Sequence, residues 1–242
     1  MNELLVPVVV IAAALAAGTL AAVAGFGGAA IMLPILVWAF GVRDAVPLLT
    51  VAQLIGNASR VWFNRRELVL PVVGWFALGA VPLAVVGGIV FATAPAPFLR
   101  RLLGLFLLVT VAYRHTRLGR DARVGLRGFL GIGAIFGFLS ALLGSVGPMM
   151  APFFLAYGLL KGAYIGTEAL STVVMHVVKL GVYGGYSLLS FGTLVTGLSI
   201  GAVLILASYI GKRILDRMPE RIFPILIEVV LVLAGLQFLV FD

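Results

Sequence analysis

The stretch LVLPVVGWFALGAVPLAVVGGIVFA, residues 68–92, contains no charged side chain. A helix needs roughly 20 apolar residues to cross the hydrocarbon of a bilayer, so this run is long enough to span with some tilt. Residues 4–24, 193–210 and 222–241 read the same way. The whole chain is 62% hydrophobic and 11% charged, with a mean hydropathy of +1.20. A soluble domain cannot bury that much apolar surface. The runs are continuously apolar and lack the alternation of membrane strands, and only helices and closed barrels satisfy their backbone in lipid. The sequence therefore predicts an all-α polytopic membrane protein. Residues 4–24 lack a basic flank and a cleavage site with a soluble domain behind it, so they are expected to stay as a helix and not to act as a signal peptide.

A net charge of +8 and a pI near 10.4 could point to nucleic acid, but the basic residues sit in short loops between apolar runs, where topology explains them. With no cysteine, disulfides and thiolate metal sites are excluded; two histidines argue against any other metal site, and no cofactor is expected. No serine, histidine and acid arrangement suggests an enzyme. Gly25-Phe26-Gly27-Gly28 lacks the Gly-Lys-Ser/Thr that a nucleotide-binding loop requires.

Ten segments can be drawn: 4–24, 29–40, 45–63, 68–92, 99–113, 128–143, 149–157, 164–183, 193–210 and 222–241. The second, fifth and seventh are too short to span straight, so seven to ten membrane segments are expected. The loop 114–127 divides the chain nearly in half and carries five arginines against Asp121, which marks it as cytoplasmic. The hairpin around Lys212, Arg213, Arg217 and Arg221 is basic too, whereas residues 184–192 carry no charge and should lie outside, as should both termini. The glycine run at 25–28 with Pro34 is echoed by Gly144-Ser145-Val146-Gly147-Pro148 with Pro152, the prolines lying 118 positions apart. Both motifs interrupt an apolar stretch and precede a short apolar helix, the sign of broken helices in corresponding places. Two repeats are expected, 1–118 and 119–242, forming one membrane domain; with five segments each, they would be inverted.

At these motifs the chain resembles the TauE/SafE sulfite-exporter family of membrane transporters, whose halves each carry a glycine-rich motif followed by a proline-containing short helix. The likeness covers nearly the whole chain. It is most specific at residues 137–144, Gly147, Pro148 and Pro152, continued by Gly166-Thr167-Glu168-Ala169 and Lys179; the first half matches through Gly25–Gly28 and Pro34. The resemblance implies movement of small anions, often sulfur-containing oxyanions such as sulfite or sulfonates, across the cytoplasmic membrane.

The residues themselves carry a parallel reading. Unwound backbone at mid-membrane is costly unless it lines a cavity or meets a ligand. Helices starting near Ala29 and Met149 would aim free N–H groups at an anion, with Gly25, Gly27, Gly28, Gly144, Ser145 and Gly147 at the breaks; close helix packing by small residues is the alternative. Gln53, Asn57, Arg60 and Asn64 recur at spacings of four, three and four, which is one helical stripe. Thr172, His176, Lys179 and Tyr183 repeat it 119 positions on.

Arg60 and Lys179 are thus corresponding cations, each costing at least roughly 2.5–3.5 kcal/mol at mid-bilayer, which one anionic substrate would offset. Arg60 could instead snorkel towards Arg65. Glu168 lies on the second stripe, and either it or His176 could carry a coupling proton; otherwise Glu168 pairs with Lys179. Glu228 and Gln237 read as structural, His115 as solvated, and Trp38, Trp62 and Trp75 as interfacial anchors. A secondary transporter of small anions by alternating access is expected, with the bilayer, an anion and a proton or counterion as partners and no nucleic acid; an anion channel, or a membrane-embedded scaffold or enzyme, is the alternative.

Overall fold

The computed structural model describes residues 5–26, 28–99, 124–144 and 146–219, together with 101, 102, 105 and 222. Eight helices are described along their whole length: α1 (Leu5–Ala24), α2 (Gly28–Phe40), α3 (Val42–Phe63), α4 (Leu70–Thr93), α5 (Gly128–Leu143), α6 (Gly147–Ala156), α7 (Lys161–Gly185) and α8 (Phe191–Arg217). Most of the expected segments 99–113 and 222–241 lies outside the described residues. So do Gly27, Ser145, His115, Glu228, Gln237 and the central loop up to residue 123.

Local chemistry sets the helix ends. Pro71 and Pro148 stand in the first turns of α4 and α6, where a missing N–H costs nothing. The Ser190 hydroxyl accepts from Thr193 N at 3.0 Å and caps α8. α1 and α5 both stop at a glycine with φ of 85°, Gly25 and Gly144, a conformation that L side chains rarely adopt.

Four helical stretches are long and apolar enough to cross a membrane: Pro7–Ala24 of α1, α4, α7 and α8. Helices α2, α5 and α6 are apolar but shorter. α4 packs along α5, and α1 along α8, while α3 lies against α8 and α7, and α7 also touches α4. The contacts are backbone-close: a Cβ on Gly79 or Gly133 of the α4–α5 pair would run into a carbonyl of the facing helix. Small residues of this kind let helices associate in lipid, where no hydrophobic force separates helix from tail. Outward lie large apolar side chains, among them Leu78, Leu198, Leu206 and Phe191, a surface suited to lipid. Trp38 and Trp62 are exposed, and Trp75 is half-buried. The described residues contain no strand, in keeping with a helical polytopic membrane protein.

Candidate functional site

The two breaks meet inside the bundle. Phe26, next to Gly25, is buried, and a Cβ added to Gly147 at the start of α6 would stand 3.2 Å from the Phe26 Cβ. Gly25 packs so tightly on the Tyr164 ring of α7 that no side chain fits there.

An interrupted helix leaves its last carbonyls unpaired, which is costly away from water and favours a cation beside them. Both breaks receive one. Arg60 Nη1 donates to the carbonyls of Ala21 at 3.1 Å and Gly25 at 2.8 Å, and Nη2 donates to Asn57 Oδ1. Lys179 Nζ reaches Ser140 Oγ at 3.4 Å and the Gly144 carbonyl at 3.5 Å, and lies 3.4 Å from His176 Nδ1. Ala21 and Ser140, Gly25 and Gly144, Asn57 and His176, Arg60 and Lys179 are four pairs each separated by 119 positions.

Between the breaks lies a cavity of about 40 Å³, room for roughly a small oxyanion or a few waters. Gly25 and Gly28 border it from the first break, Gly144 and Gly147 from the second. Gln53, Asn57 and Arg60 project from α3; Glu168, Thr172 and His176 project from α7. Lys179 is fully buried behind this wall and does not line the cavity. Arg60 is buried rather than snorkelled to the surface. Its neighbour on the wall is Glu168, with Nη1 3.7 Å from Oε2, so the acid of α7 pairs with the cation of α3 and not with Lys179 on its own helix. Thr172 donates to Glu168 Oε1 at 3.1 Å.

The stripe ends stand outside the cavity: Asn64 Nδ2 donates to the Arg60 carbonyl at 2.8 Å, and Tyr183 Oη donates to the Ala141 carbonyl. Ser140 is a wall residue that spacing alone does not single out; the signal was its place one turn before Gly144. Among the described residues no cluster of three histidine or acidic side chains could hold a metal ion.

Long apolar helices around a buried polar centre with interrupted backbone define a multi-pass membrane protein. The chain matches the family Sulfite exporter TauE/SafE over residues 10–238, nearly its whole length, and it belongs to that family of membrane transporters. No curated protein and no solved structure was found to match it.

Proposed function

We propose that the protein is a secondary transporter that moves a small sulfur-containing oxyanion, sulfite or a sulfonate, across the cytoplasmic membrane by alternating access. The observation that carries the reading is the cavity bounded by both glycine breaks and by Arg60. Helices α2 and α6 start at this cavity, so their first N–H groups and positive dipole ends favour an anion there. Arg60 adds a fixed charge with planar donors suited to an oxyanion. Membership of a sulfite-exporter family supports the choice of sulfur oxyanions among small anions.

The two halves, 1–118 and 119–242, would act as inverted repeats that rock about the central site. Support comes from the three contacts of Arg60, with Ala21, Gly25 and Asn57, that recur 119 positions on between Lys179 and Ser140, Gly144 and His176. The small volume of the cavity fits a carrier that occludes its substrate better than a continuous pore. Purified protein in liposomes is expected to show saturable uptake of sulfite, competed by sulfonates. Flux linear in concentration would identify a channel instead, and no flux with any anion would leave a scaffold.

A further inference from the structure

Among the described residues Arg60 and Glu168 are the one cation and the one acid on the cavity wall, and they reach it from different helices. Glu168 is also the only acid buried among the described residues. Thr172 serves its Oε1, but its Oε2 accepts no hydrogen bond, and among the described residues its ion-pair partner is Arg60, 3.7 Å away. A buried carboxylate so thinly served depends on that charge, because desolvation is otherwise uncompensated.

The repeat supplies a second, independent observation. Gln53 and Thr172, Asn57 and His176, Arg60 and Lys179 are polar at both copies, but the counterpart of Glu168 is Leu49, buried and apolar. Among the described residues the Lys179 frame therefore terminates the second break with no acid beside its cation, whereas the Arg60 frame at the first break has Glu168. Glu168 is an addition to that frame, placed where an anion bound to Arg60 would sit.

We propose that Glu168 is the proton-coupling residue: in the empty site its carboxylate holds the anion's place on Arg60, and when an oxyanion displaces it, it takes up one proton. The proton comes from a hydronium ion of the aqueous phase: its O–H bond breaks as the O–H bond to Oε2 forms, and water is left. The anion's charge replaces that of the carboxylate, so the buried centre keeps its net charge. To reset, Glu168 releases the proton and pairs with Arg60 again, so one proton travels with each monoanion. Among the described residues the other titratable groups near Glu168 are Arg60 of α3 and, on its own helix, Tyr164, His176 and Lys179; the wall residues from α1, α2, α5 and α6 do not titrate. His176 lines the same cavity and lies 3.4 Å from the Lys179 amine, and proton uptake there would persist in Glu168→Gln.

This inference rests on the transporter reading. Methanesulfonate, which holds no proton near neutral pH, is the probe, added to purified protein in weak buffer with a pH indicator. The wild type should take up one proton per anion bound. Glu168→Gln should bind methanesulfonate about tenfold more tightly, having lost the competing carboxylate, with no proton uptake. In liposomes a pH gradient should drive accumulation by the wild type, whereas Glu168→Gln should only exchange anion for anion. Binding by the wild type without proton uptake, or proton uptake retained in Glu168→Gln, overturns the proposal. The wild-type measurement decides even where the variant does not fold. Uncoupled transport by the wild type sinks this inference alone, while failure to bind or move sulfite, sulfate or methanesulfonate sinks the transporter reading with it.

Discussion

Arg60 and Lys179 each hold the carbonyl of the glycine 35 positions before them, at 2.8 Å to Gly25 and 3.5 Å to Gly144. The same device terminates both broken helices, yet the two cations differ in what is left over. Arg60 has a guanidinium large enough to cap the helix and face the cavity, whereas the Lys179 amine is surrounded by Gly144, Ser140 and His176.

Removing the Lys179 amine leaves the Gly144 carbonyl without its cation. Lys179→Met should destabilise the protein by about 1–3 kcal/mol and weaken anion binding by loosening the second break. Thermal unfolding and anion affinity, measured together on the purified variant, check this. A folded Lys179→Met protein that binds anion like the parent would remove Lys179 from the site.

The two break glycines should differ in their tolerance of a methyl group. Both have φ of 85°, a conformation costing about 1–2 kcal/mol for an L side chain. At Gly144 the nearest atoms a Cβ meets are those of Val46 and Leu33 at 3.4–3.6 Å, but at Gly25 it strikes the Tyr164 ring. Gly25→Ala should therefore lose more stability than Gly144→Ala in denaturant unfolding; equal losses would contradict the packing described.

Helix α5 offers a matched pair two residues apart. Gly133 faces the Phe76 carbonyl of α4, whereas Gly131 has open space around it. Gly133→Leu should force α4 and α5 apart and abolish folded protein, and Gly131→Leu should leave yield and melting temperature nearly unchanged. Size-exclusion profiles of the two variants in detergent give the comparison.

Helix α8, with 27 residues, is about 40 Å long, more than the roughly 30 Å of bilayer hydrocarbon. Its ends should lie on opposite sides. In this cysteine-free chain, Ser187→Cys should react with an impermeant thiol reagent in intact cells and Arg213→Cys only after lysis. The reverse pattern would overturn the orientation.

Much of the helical framework was legible because apolar runs and glycines mark it directly: the predicted ends at 24, 40, 63 and 143 coincide with those of α1, α2, α3 and α5. α8 runs to Arg217, beyond the predicted 210, because hydropathy falls at Lys212 and Arg213 while the backbone continues its helix. The site was legible in part. Spacing showed which residues share a helix face, but not how deep each lies, so Lys179 looked equivalent to Arg60 although it sits behind the cavity wall. Nor could a stripe on one helix reveal a partner on another: Glu168 was weighed against Lys179, and its neighbour is Arg60, 108 positions away.

The central claim is that Arg60 receives an anion in this cavity, and equilibrium binding of radiolabelled sulfite to Arg60→Gln/Glu168→Gln tests it most directly. Replacing both partners leaves no buried charge unpaired, so the double variant should fold, less stable than the parent by about 1–3 kcal/mol because the Gly25 carbonyl loses its cation as at Lys179→Met. The wild type should bind sulfite saturably, and the folded double variant should bind it at least about a hundredfold more weakly, the loss expected when a buried charge partner is removed. Sulfite bound by the folded double variant as tightly as by the wild type would contradict the account.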